Sequence, residues 1–161
     1  KPKGIVIGDI RYSRKIFELW SKAELEAKGI YEVEYDNTNK KDEQWYINTN
    51  QSFAFAGGKI TASYGAATPK ELGDVKSQKK EAIDERANYL LFLTDWYVVK
   101  ATEVESYSVP EAVTTYRADV RTASNDMESK IDACSTVDEL AALYVYTDGS
   151  RPLGEFPTLE I

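Results

Sequence analysis

The sequence predicts an α+β chain. The hydrophobic period is two between residues 30 and 64 and helical beyond about residue 80. Three helix starts carry the Ser/Thr-x-x-Glu pattern, and glycine and proline punctuate both ends of the chain.

The start, residues 1–14, carries a short apolar run, Ile5-Val6-Ile7, set among Pro2, Gly4 and Gly8. It reads as an arm or an edge strand. A small α/β module follows over 15–66. Ser21 is placed as an N-cap with Glu24 as its capping-box partner, Trp20 and Leu25 as the staple, and Gly29 as the stop, so a helix is expected over 22–28. Residues 30–35 then alternate strictly. Tyr31, Val33 and Tyr35 share the face expected to be buried, with Glu32 and Glu34 opposite. Asp36-Asn37-Thr38-Asn39 is turn chemistry. Further strands are expected over 44–48, 52–56 and 59–64, the last two joined by a Gly57-Gly58 hairpin turn, which together make a small antiparallel meander.

Residues 67–77 read as a connector. Over 78–145 the sequence describes a helical hairpin. Ile83, Ala87, Leu90, Thr94 and Tyr97 form one stripe, with Thr94-Asp95-Trp96 at the end of that helix and Trp96 covering the hairpin's open end. Ser108 and Glu111 mark the restart, with Pro110 in the first turn. Val113, Tyr116, Val120, Ala123, Met127, Ile131 and Cys134 form the facing stripe. About ten linking residues imply antiparallel packing. Thr136 and Glu139 open a short third helix to about Tyr144, and 146–161 is an extended tail carrying Leu153, Phe156, Leu159 and Ile161.

Composition narrows function by exclusion. Of the 161 residues, 42% are hydrophobic, enough for a packed interior in one domain or two small ones. Histidine is absent and Cys134 is the sole cysteine, which removes Ser-His and Cys-His catalysis, nearly all zinc sites and any intrachain disulfide. Cys134 ends an apolar stripe and reads as a small buried hydrophobe. A net charge of −7 argues against nucleic acid as a partner, since phosphate binding needs excess Lys and Arg. The one basic cluster, Lys76 to Lys80, runs directly into Glu81, Asp84 and Glu85 and reads as a solvated helix start. No run approaches a membrane span, and Lys1 to Gly8 lacks the apolar core of a secretory signal.

No catalytic, cofactor or metal residues are assigned. Asp84, Asp95, Asp119 and Asp126 are carboxylates from which a glycosidase pair could be drawn, but their spacing alone places no two together, and surface solvation is the ordinary role. The glycines make no phosphate loop, and Asp36 to Asn39 lacks the later Gly and Glu of an EF-hand. Arg117 and Arg121, one turn apart, can reach Asp84 or Asp95. Tyrosine outnumbers phenylalanine eleven to five, and Tyr31, Tyr35, Trp45, Tyr46, Phe53, Phe55 and Tyr64 fall in the sheet region. Such residues fill a thin core, anchor a protein interface, or stack on carbohydrate. Tyr31, Tyr35, Trp45 and Tyr46 are the candidate interface residues here, joined by Leu153, Phe156, Leu159 and Ile161 as a tail that straps onto neighbours.

Two motif sets carry a resemblance. Arg86-Ala-Asn-Tyr-Leu-Leu, Thr94-Asp95-Trp96, Val109-Pro110-Glu111 and Tyr116-Arg117-Ala118-Asp119-Val120-Arg121 resemble the C-terminal helical hairpin of tailed-phage tail fibre and tail assembly proteins. Trp20-Ser21, Gly29-Ile30-Tyr31, Tyr46-Ile47-Asn48-Thr49-Asn50 and Phe53-Ala54-Phe55-Ala56 are similar to a module of virion proteins from contractile-tailed marine phages. The resemblance spans about residues 15–145 and supplies no catalytic motif. It implies a non-enzymatic structural component of a phage tail or tail fibre. Such a component would bind other virion proteins, with self-association among the options, and would reside in the virion after assembly in the host cytoplasm. A transient tail-fibre assembly chaperone is the alternative, and a carbohydrate-binding or hydrolytic module a more distant one.

Overall fold

The computed structural model describes residues 4–49 and 51–159 and has the α+β architecture expected. The chain forms two compact units, Lys1–Thr68 and Pro69–Ile161.

The first unit opens with an antiparallel hairpin of β1 (Ile5–Ile7) and β2 (Ile10–Tyr12). Gly8, at φ +60°, supplies the left-handed turn that puts Ile7 opposite Ile10. The segment read as an arm is therefore paired with itself. Next come α1 (Ile16–Leu19), a turn the sequence did not announce, and α2 (Lys22–Glu26). The expected capping box is present: Ser21 Oγ accepts from the Glu24 amide, while the Glu24 carboxylate accepts from the Ser21 amide at 2.8 Å. Gly29 at φ +74° turns the chain away.

The strands are β3 (Val33–Asp36), β4 (Tyr46–Ile47), β5 (Gln51–Ala56), β6 (Lys59–Tyr64) and β7 (Thr68–Pro69). β5 and β6 form the expected antiparallel hairpin, with Gly57 and Gly58 both at positive φ in the turn. The sheet order is β3-β6-β5, and β3 runs parallel to β6. That replaces the meander with a mixed sheet. Alternation specifies which residues share a face but not the direction of the neighbouring strand, and the chain between β3 and β6 is long enough for a crossover.

In the second unit, α3 (Leu72–Phe92) begins inside the segment read as connector, with the Glu71 carboxylate accepting from the Gly73 amide. Val75, Ile83, Ala87 and Leu90 form its buried face. α4 (Asp95–Glu103) occupies most of the link read as a plain connection. Trp96, expected to cover the hairpin's open end, lies half exposed with its ring against that of Tyr97. α5 (Glu111–Ala133) buries Val113, Tyr116, Val120, Met127 and Ile131 as its stripe predicts. Its cap differs from expectation: Pro110 holds the N-cap position, and no Ser108–Glu111 box forms. α6 (Val137–Ala142) starts at Thr136, whose hydroxyl accepts from the Glu139 amide.

Antiparallel packing of α3 on α5 is fixed by polar contacts at both ends. Lys76 Nζ donates to the Asp132 carbonyl, and Lys80 Nζ lies 2.9 Å from the Asp132 carboxylate and 3.7 Å from Glu128. The basic cluster is thus a clamp between helices rather than a free helix start. At the other end the Arg117 guanidinium donates to the Leu91 carbonyl at 2.7 Å and to Thr94 Oγ1, and pairs with Asp95 at 2.8 Å. Thr94 is buried. This cation adds a charge-assisted bond to the Leu91 carbonyl, which also accepts from the Thr94 amide and hydroxyl where α3 stops.

The tail follows the same hairpin. Leu153 is 1% exposed, its amide donates to the Leu143 carbonyl at 3.0 Å, and Lys130 Nζ donates to the Pro152 and Leu153 carbonyls at 2.9 Å. Phe156 and Leu159 pack on the core made by Ala87, Leu90, Tyr116 and Val120. Leu153 is buried and Phe156 and Leu159 are partly buried within their own unit, where covering the hairpin groove offsets the cost of ordering the segment. Among the described residues no helix is long and apolar enough to cross a membrane.

Candidate docking surface

The residues read as interface candidates divide sharply. Trp45 and Tyr46 are buried in the first unit. Leu153, Phe156 and Leu159 serve the core of the second, and Ile161 lies outside the described residues. Tyr31 is half-buried and tilts against Phe55, with ring centroids 4.6 Å apart. Tyr35 was expected inside and instead is 67% exposed, while Glu32 and Glu34 are exposed as expected. The register is therefore right for the glutamates, yet the opposite face is only partly covered.

That face is the most distinctive surface of the first unit. Strand pairing aligns Tyr35 with Ala62 and Phe53 in one row, and Val33 with Ile60 and Phe55 in the next. Partners and i, i+2 neighbours share a face, so these six side chains lie together. Ala62 at the centre is fully buried, whereas Phe53 and Phe55 are 64% and 60% exposed. The other face is polar: Glu34 pairs with Lys59, and the Ser52 and Ser63 hydroxyls lie 3.4 Å apart. Phe53 and Phe55 were visible in the sequence as an alternating pair, and what periodicity could not supply was whether anything covers them.

β5 adds a second property. It is an outer strand of the sheet, and its sequence, Gln-Ser-Phe-Ala-Phe-Ala, has no charge and no proline. Edge strands are ordinarily guarded by one or the other, because unpaired backbone groups recruit extended chains. Here backbone edge and aromatic face meet on the same strand, which suits addition of a partner strand with alternate side chains reading Phe53 and Phe55.

The titratable groups are accounted for by local structure. Glu24 is held below its usual range by the Ser21 amide and hydroxyl, and Asp36 by the Thr38 hydroxyl and amide. Desolvation pushes the Cys134 thiol up, in keeping with a buried hydrophobe. Asp95 is paired with Arg117, while Asp84 and Asp119 line two different clefts of the second unit. Among the described residues, no group of three or more Cys, Asp or Glu is gathered as a metal site.

Comparison with protein-family models, with curated proteins and with solved structures found no match.

Proposed function

We propose that this chain is a non-enzymatic structural component of a phage tail or tail fibre, which holds neighbouring virion proteins through the aromatic face and free edge of its sheet. The observation that carries the reading is the open patch of Tyr35, Phe53 and Phe55 beside the uncharged β5 edge. Covering each such ring is worth ~1.5–3 kcal/mol, and aromatic side chains dominate the energy of protein interfaces. The motif resemblance to tailed-phage virion proteins supplies the setting, and the net charge of −7 favours a protein neighbour over nucleic acid.

Phe53→Ser with Phe55→Ser tests it. Both side chains are exposed, so the doubly substituted chain should fold with unchanged circular dichroism while failing to co-purify with particles in fixed stoichiometry. Normal incorporation of that variant would refute the docking face. Wild-type chain that is abundant in lysate and absent from particles would refute a virion component in favour of a transient assembly chaperone.

A further inference from the structure

The outer strand β5 is nearly palindromic. About Ala54 it reads Ser52-Phe53-Ala54-Phe55-Ala56, with a phenylalanine one place to either side and a small residue two places to either side. A strand meets a second copy of itself antiparallel across a two-fold axis, so its sequence in one direction has to suit its sequence in the other. With the axis at Ala54, Phe53 lies opposite the partner's Phe55, and Ser52 lies opposite the partner's Ala56.

The hydrogen-bond phase of the strand agrees with that register. Gly57 and Gly58, both at positive φ, make a two-residue turn, which closes on Ala56 and Lys59 as a hydrogen-bonded pair. Bonded and non-bonded pairs alternate along an antiparallel ladder, so Ala54 with Thr61 and Ser52 with Ser63 are bonded, while Phe53 with Ala62 and Phe55 with Ile60 are not. The Ile60 amide fits this phase, since it donates away from β5, to the Glu32 carbonyl at 3.4 Å. The N–H and C=O groups of Phe53 and Phe55 therefore point to the outer edge, where among the described residues no further strand lies. These are the residues that the two-fold register sets opposite one another, so each Phe53 is placed to exchange both backbone bonds with the partner's Phe55.

The side chains fit as well. Phe53 and Phe55 are both more than half exposed, and the pairing sets each ring beside another across the strands. Ala54 is exposed on the polar face and small enough for the two backbones to meet at the axis. β5 carries no charge, whereas β3, the opposite edge of the sheet, carries Glu34 and Asp36, which discourage a strand from adding there. Addition therefore stops at two copies.

We propose that β5 pairs antiparallel with β5 of a second copy of this chain, joining the two sheets across a two-fold axis at Ala54. The proposal rests on the reading of this edge as a docking edge and names its occupant; the joined aromatic face is left for other virion proteins.

Sedimentation velocity of the purified full chain over about 5–500 µM tests it, the span in which a small interface associates. The expected result is a reversible monomer–dimer equilibrium. Ala54→Lys sets two ammonium groups side by side at the axis while leaving Phe53 and Phe55 in place, and should weaken association at least about tenfold; Ala54→Glu should do the same. An equal mixture of the two variants should dimerise as well as the wild type or better. In the wild-type chain the Phe53 and Phe55 amides should exchange with solvent more slowly at the top of the concentration range than at the bottom, a readout that needs no variant. A chain that stays monomeric throughout, a dimer that Ala54→Lys leaves intact, or Phe53 and Phe55 amides whose exchange is the same at both concentrations would each overturn the proposal. Because the readout is self-association of the purified chain, these results leave the particle-incorporation test of the docking face to stand or fall by itself.

Discussion

Replacing Leu153 with alanine tests the finding that the tail belongs to the helical core. Leu153 is 1% exposed, and its backbone is tied by the Leu143 carbonyl and by Lys130. Removing three carbons from a buried leucine costs ~2–3 kcal/mol in transfer free energy, at about 0.8 kcal/mol per methylene. A sealed void would add more, but Leu153 lines an open cleft of the second unit, so the space left behind joins one that water can enter. The total should therefore stay near ~2–3 kcal/mol, the lower part of the range for such truncations. The far-ultraviolet signal reports mainly on this unit, since α3 and α5 supply most of the helix. With m of ~1–2 kcal/mol/M for a unit this small, the urea midpoint should fall by ~1–3 M. A loss below about 0.5 kcal/mol, the level of a surface substitution, would show that the tail rests on the hairpin without stabilising it.

Deleting 149–161 should lower the midpoint further than Leu153→Ala, because Phe156 and Leu159 leave with it; a truncated chain with the wild-type midpoint would make the tail a detachable strap after all. Arg117→Met should cost ~1.5–3 kcal/mol in a denaturant titration, since it removes charge-assisted bonds to the Leu91 carbonyl and the buried Thr94 hydroxyl while leaving the bonds that carbonyl accepts from the Thr94 hydroxyl and amide, whereas Asp95→Asn should cost under ~1 kcal/mol because Asp95 is half exposed. Glu24 should titrate below the usual glutamate range and shift up in Ser21→Ala. Because its folded pKa is lowered, its contribution to α2 is present above the unfolded pKa and lost as pH falls through the folded one; equal midpoints in the two chains would contradict the capping-box geometry. Cys134 should react with a thiol reagent at neutral pH far more slowly in the native chain than in urea, and equal rates would place it at the surface.

What the sequence made legible was local. Ser21 with Glu24 and Thr136 with Glu139 cap their helices as expected because both partners lie within one turn. The Ile83-Ala87-Leu90 and Val113-Tyr116-Val120 stripes are buried because helical period determines which side chains share a face. Ser108 failed as a cap although its pattern matched, because Pro110 takes the boundary and shifts the first turn. α4 was hidden since its apolar residues, Trp96, Val98 and Val99, remain exposed and give no buried stripe. Glu71 and Gly73 begin α3 where glycine and proline suggested a connector.

The candidate site was legible in residue type and not in placement. Aromatic residues were rightly concentrated in the sheet region. Which of them are open depends on non-local pairing: β3 joins β6 in parallel and leaves Tyr35 in line with Phe53. Trp45 and Tyr46 have the same chemistry and are buried. The tail residues were correctly identified as needing cover, but the sequence does not state whose groove provides it.

The central claim, that the sheet face holds a neighbouring virion protein, is tested most directly by photo-crosslinking within assembled particles. Phe53→p-benzoylphenylalanine places the reactive group on the open face, and Thr61→p-benzoylphenylalanine places it on the polar one. The account predicts a covalent product from position 53 with one defined virion protein, identified by mass spectrometry, and little or none from position 61. Equal yields from the two positions, or no adduct from position 53 in particles that contain the chain, would contradict it.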